Sequence, residues 1–127
     1  MPRGTATIGR DKYRTAISVD GHELIADEPA ARGGEDQGPA PYDLLLASLG
    51  ACTAITLRMY ADRKQWPLES LSVDLQLAAG ARLHIRRTLH VAGLDDTRAA
   101  RLADVAERTP VTLTLKHGIA IETRLAS

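Results

Sequence analysis

Residues 38–67 read GPAPYDLLLASLGACTAITLRMYADRKQWP, and this stretch decides how the rest of the chain is organised. Its two ends are punctuated. Pro41 tolerates a missing backbone N–H, Asp43 suits the positive end of a helix dipole, and Trp66-Pro67 stops further propagation. A helix of roughly 22 residues is therefore expected, about 33 Å long at 1.5 Å per residue. The uncharged run Leu44 to Leu57 is shorter than the roughly 20 residues of a bilayer span, so a buried helix of a soluble protein is expected. The middle of the helix is apolar nearly all round and should be covered on every side. A chain of 127 residues can hardly surround such a rod, so a partner subunit is expected to help. Ala47, Ser48, Gly50, Ala51 and Ala54 offer small surfaces to an approaching backbone. Gly50 costs about 1 kcal/mol against alanine, which points to a packing reason for it.

Outward from this helix the pattern alternates. On the amino-terminal side, Tyr13 to Val19 and His22 to Ile25 are strand-like, and Asp20-Gly21 supplies the positive φ angles of a two-residue hairpin. The turn-rich loop Asp27 to Pro41 is long for a small domain, and such loops are often functional. On the carboxy-terminal side, Leu71, Val73, Leu75 and Leu77 alternate with polar residues, and Leu83, Ile85, Leu89 and Val91 answer them across a turn at Ala79-Gly80. Arg87 interrupts that parity, which predicts a bulge or an edge where its charge reaches solvent. A second helix is expected over about Asp96 to Arg108, capped by Asp95 or Asp96, with Ala99, Leu102, Val105 and Ala106 as its apolar stripe. Thr109-Pro110 ends it. Val111 to Leu115 and Ile119 to Leu125 are strand candidates. Strands, long helix, strands, helix, strand is an α+β order in one domain, residues 1–127.

Bulk properties narrow the function classes. Sixteen basic residues balance sixteen acidic ones with no basic block, so neither nucleic acid nor a membrane surface is indicated as a partner. The aromatics are Tyr13, Tyr42, Tyr60 and Trp66, too few for a base-stacking platform. A single cysteine with no secretory signal ahead of the first strand points to the cytoplasm. His22, His84, His90 and His117 have no metal-ligand spacing, and neither a P-loop nor a GxSxG elbow occurs, so no cofactor or metal is expected. Asp27-Glu28 and Glu35-Asp36 read as solvated loop charge.

Cys52 is the residue that can carry chemistry. On pattern alone the leading reading is a small packing residue of an apolar helix. Deep in the helix it gains little from that helix's dipole, and an apolar setting disfavours a thiolate, so reactivity requires a cation from elsewhere. Arg10, in the turn-like Gly9-Arg10-Asp11, is the first candidate, and Arg14 competes with it. For both, an exposed arginine is the plain reading.

The segment DEPAARGGEDQGPAPYDLLLASLGACTAITLRMYADRKQWPLESLSV (27–73) resembles the central part of the OsmC/Ohr family of peroxide-related proteins, in its OsmC-like subgroup. RLADVAERTPVTLTLKHGIAIETRL (101–125) is similar to the family's second helix and final strand, and Gly9-Arg10-Asp11 to its opening. The resemblance implies an α+β, intertwined homodimer with long central helices wrapped by antiparallel sheets. It implies Cys52 as a peroxidatic thiol, Arg10 as the group stabilising thiolate and peroxide, and organic hydroperoxides as substrates. Two departures follow from the same resemblance. The family's second, resolving cysteine is here Thr109, and the glutamate after its helix-opening proline is here Tyr42, with Asp43 next. An external thiol reductant would have to close the cycle, and Asp43 would have to orient the arginine. The alternative is a non-enzymatic member that binds an apolar small molecule at the dimer interface.

Overall fold

The computed structural model describes residues 1–126. The chain divides into two compact units, Met1–Leu45 and a second that begins at Leu46.

The first unit is built on a three-stranded antiparallel sheet, β1 (Gly4–Thr7), β2 (Thr15–Val19) and β3 (His22–Ala26), in the order β1-β2-β3. The expected hairpin closes at Asp20-Gly21, with φ of 52° and 84° and Val19 opposite His22. Both angles are those a two-residue hairpin needs. After β3 the loop is ordered from within. The Asp27 carboxylate, only 2% exposed, accepts the backbone N–H groups of Glu28 at 2.7 Å, Tyr13 at 3.1 Å, Gln37 at 3.1 Å and Glu35 at 3.3 Å. The expectation of a solvated Asp27 is thus overturned. Loop amides that lack a ladder partner need an acceptor, and a carboxylate has sites for four. Burial pushes the Asp27 carboxyl up, but the four N–H groups outweigh it and hold it below its ordinary range.

Helix α1 (Pro41–Arg63) begins at the end of the first unit. Asp43 Oδ2 accepts the Ala40 N–H at 2.9 Å, half of a capping box. The helix stops before Trp66-Pro67. Gln65 adopts φ 59°, the Trp66 N–H reaches the Ala61 carbonyl at 2.9 Å, and the Gln65 N–H reaches Asp62 at 3.0 Å. These are the two bonds of a Schellman ending. The buried residues of α1 are Leu49, Thr53, Leu57 and Ala61, one stripe at a spacing of four. Full coverage is not reached within one chain, because Tyr42, Ile55 and Met59 are each more than half exposed. By length and composition α1 would also suit a bilayer span, yet its buried stripe joins a protein core.

That core lies in the second unit. Leu57 and Ala61 pack with Leu68, Leu102 and Ala106, flanked by Leu71, Leu89 and Val91 of a two-stranded sheet. Leu57 and Leu102 are fully buried, and burial of each contributes about 1.5–3 kcal/mol. The sheet pairs β4 (Ser70–Ala78) with β5 (His84–Ala92) in unbroken antiparallel register, Leu75 facing Arg87. A Cβ on Gly50 would stand 2.8 Å from Leu75 Cδ1, so the leucine end of β4 packs close over this turn of α1 and would have to shift for a larger residue. Helix α2 (Asp96–Ala106) is capped by Asp95, whose side chain accepts the Arg98 N–H at 2.8 Å.

The carboxy-terminal strand candidates are overturned. Pro110–His117 is a helix, α3, with Thr109 as N-cap and Pro110 in its first turn. The run Val-Thr-Leu-Thr-Leu alternates like a strand. Its helical conformation buries Thr112 instead, and a Pro in the first turn after a Thr N-cap was the sign of it. Residues 119–125 form no strand, and Ile119, Ile121 and Leu125 are exposed. An extended segment with period-two apolar residues needs a neighbouring edge for its backbone, and none is paired with it here.

Candidate functional site

Cys52 sits half-buried on α1, two turns beyond the last charged residue of its amino-terminal end. Its sulfur meets two groups. The Val111 N–H, in the first turn of α3, donates to Sγ at 3.4 Å, and the Thr56 hydroxyl lies at 3.9 Å, one turn along α1. The first contact matters most. The early N–H groups of a helix have no partners inside it and carry the positive end of its dipole, and here one of them is aimed at the sulfur. The dipole that bears on Cys52 is therefore that of α3, a helix the sequence pattern did not disclose.

Beside the sulfur lies a buried polar cluster. Arg87, on the covered face of β5, has a side chain only 11% exposed. No bulge forms and its charge does not escape to solvent, contrary to expectation. Nη1 donates to Thr53 Oγ1 at 3.0 Å and to Thr112 Oγ1 at 2.8 Å. Nη2 donates to the Ala106 carbonyl at 2.9 Å and to Glu107 Oε2 at 3.2 Å. The guanidinium thus ties α1, the end of α2 and α3 together, and its charge stands against a carbonyl at the negative end of α2. Glu107 also accepts from Lys116 Nζ at 3.1 Å. The Lys116 hydrogen bond, opposed by partial burial and helped by Arg87, holds the Glu107 carboxyl below its ordinary range.

Thr109 is 1% exposed, and its hydroxyl lies 2.6 Å from that of Thr112. It is the N-cap position of α3, where it is committed to this cluster. Arg10 and Arg14 belong to the amino-terminal unit and lie in and just after an exposed bend. Asp43 also belongs to that unit, where its visible role is to cap α1. Three site residues escaped the sequence pattern. Arg87 looked like an edge charge, while Thr53 and Thr112 looked like ordinary helix and strand residues. A charged residue at a covered strand position was the one usable sign. No group of three or more metal-ligating side chains occurs among the described residues.

A model of the OsmC-like protein family matches residues 34–124. Among curated proteins none is significantly similar in sequence. Solved structures share the fold. An OsmC-like protein from Mycoplasma pneumoniae superposes with TM-score 0.73 at 20% identity, covering 91% of this chain and 87% of that one. A protein of the osmotic stress and detoxification response from Psychrobacter arcticus gives TM-score 0.75 at 21% identity, with coverage of 87% and 85%. An organic hydroperoxide resistance protein from Legionella pneumophila gives TM-score 0.64 at 24% identity, with coverage of 91% and 89%.

Proposed function

This chain belongs to the OsmC-like protein family, and we propose that it reduces organic hydroperoxides through Cys52, with an external thiol as reductant. The observation that carries the reading is the Val111 N–H, in the first turn of α3, aimed at the Cys52 Sγ from 3.4 Å. In the reaction the thiolate attacks the O–O bond of ROOH. An S–O bond forms, the O–O bond breaks, sulfur is oxidised by two electrons, and the leaving alkoxide takes a proton to become ROH. The resulting sulfenic acid condenses with an external thiol, releasing water and leaving a mixed disulfide. A second thiol then frees Cys52.

The apolar preference has a geometric basis. Cys52, Ile55 and Met59 stand at helical spacing on one face of α1, and Ile55 and Met59 are 54% and 59% exposed. A hydroperoxide with an apolar tail finds complementary surface there, whereas hydrogen peroxide gains nothing from it. A second copy of the chain would cover the remainder of that face as a homodimer. Arg10 is assigned to stabilise thiolate and peroxide, and Asp43 to orient Arg10. A cytoplasmic setting would supply the thiol, and the cycle requires no cofactor.

A second reading rests on Thr109. A hydroxyl locked in the N-cap of α3 forms no disulfide, which fits a non-enzymatic member binding an apolar small molecule beside Cys52. Stopped-flow mixing of the reduced protein with cumene hydroperoxide or hydrogen peroxide, with mass detection of Cys52 oxidation, separates the two. The expected result is fast sulfenic acid formation that prefers the organic peroxide and is weakened in Arg10→Ala. A rate no better than that of a free thiol overturns the enzymatic reading.

A further inference from the structure

We propose that Arg87 is the positioning residue of the Cys52 site, holding the first turn of α3 in place so that the Val111 amide stays aimed at the sulfur. The inference takes from the reading above only that Cys52 is the reacting thiol.

The argument is one of adjacency. Arg87 holds Thr53, the residue after Cys52, and Thr112, the residue after Val111, at 3.0 Å and 2.8 Å from the same nitrogen. One guanidinium nitrogen therefore spans the chain neighbours of the sulfur and of the amide that meets it. The hydroxyl protons fall into place around a donor-only group. Thr53 donates to the Leu49 carbonyl at 2.7 Å, which turns its lone pairs toward Arg87. Thr112 accepts from Arg87 and passes its proton to Thr109, whose own proton is directed to the Ala106 carbonyl at 3.5 Å. That carbonyl is also the acceptor for Nη2, so the cluster closes on itself. Glu107, and Lys116 through Glu107, complete the charged groups of the cluster.

Only a planar fork meets these demands together. A lysine supplies one point of charge and cannot serve two hydroxyls, a carbonyl and a carboxylate from fixed directions. The threonine side of the cluster is nearly dry, with Thr53, Thr109 and Thr112 at 0%, 1% and 5% exposure, so its bonds are strong when complete and costly when partial. If Arg87 lets go of Thr112, the first turn of α3 loses its tie to α1, and the Val111 amide is free to drift from Sγ.

The test is alkylation of Cys52 by iodoacetamide, taken as the ratio of rates at neutral and alkaline pH, in the full-length wild type, Arg87→Met and Arg87→Lys. The alkaline rate reports access, so the ratio isolates how readily the thiolate forms. Circular dichroism and thermal melting monitor the fold. Loss of a charge-favouring N–H contact should lower the ratio roughly tenfold in Arg87→Met, with an intermediate loss in Arg87→Lys. An unchanged ratio in folded Arg87→Met overturns the proposal. Should that variant not fold, Thr112→Val decides. It cuts the α3 end of the tie together with the Thr109 contact while leaving Arg87 in place, and should lower the ratio by roughly threefold; no change there overturns the proposal equally. Peroxide reactivity is scored separately. A wild type inert to cumene hydroperoxide whose alkylation ratio still depends on Arg87 sinks the peroxidase reading and upholds the placement of Arg87.

Discussion

Asp27 and Arg87 are ionic groups drawn away from solvent and held by four hydrogen bonds each, and they are satisfied in opposite ways. Asp27, in the amino-terminal unit, takes four N–H groups from backbone at most fourteen residues away, three of them within its own loop. Arg87, in the carboxy-terminal unit, takes its oxygens from groups 19 to 34 residues away, on three helices. The anion shapes one loop. The cation adds a polar tie between helices, two of which also meet through the Leu57–Leu102 core, and the Cys52 sulfur lies beside it. A local network can loosen alone, whereas a long-range one carries the packing of a whole unit with it.

Breaking the long-range network should have the largest effect. Arg87→Met leaves two hydroxyls and the Ala106 carbonyl short of a donor in a dry setting, and should cost about 3 kcal/mol in denaturant unfolding. A loss within the range of an ordinary surface substitution would mean that the cluster rearranges freely. Removing the local anion should do less. Asp27→Ala is expected to speed hydrogen exchange at the Tyr13, Glu28, Glu35 and Gln37 amides while the Leu57 amide keeps its protection. Uniform acceleration would erase the distinction between the two regions.

Acid should act on both regions more gently than deletion. The carboxyls of Asp27 and Glu107 are held below their ordinary values, 3.8 and 4.5, as is that of Asp104, which Arg108 pairs with. A depressed carboxyl stabilises the fold fully above its unfolded pKa, and this stability is lost as pH falls through the lower folded value. Melting temperature should hold on descent to about pH 5 and then fall; a rise on acidification would contradict the sign. The smallest effect belongs to Asp43→Ala. It removes half a capping box at an exposed helix end and should cost about 0.5 kcal/mol, seen as a small shift in urea midpoint.

Where the determinants were local, the sequence was legible. The Asp20-Gly21 hairpin needs two positive φ angles, and those residues tolerate them. The α1 limits follow from Pro41 and from the chain's inability to continue through Trp66-Pro67, although the Schellman turn at Gln65 ends it slightly earlier. The β4 alternation of leucine and valine with polar residues named the covered face. Cys52 was legible as a candidate for chemistry, but its surroundings were not. The α3 segment alternates with period two, and only the buried side of Thr112, tied to Arg87 on β5, holds the helical choice.

By itself, then, the amino-acid sequence determined the α+β class, the long apolar helix, its ends and the thiol it carries, because periodicity, capping and turn chemistry act over a few residues. Tertiary structure decided that the helix signalled by Thr109-Pro110 wins over the period-two pattern of α3, that the Val111 amide faces Cys52, and that Arg87 stays inside. The reason is physical. A guanidinium can remain buried only where four acceptors from distant parts of the chain arrive together, and no stretch of neighbouring residues reports that they will.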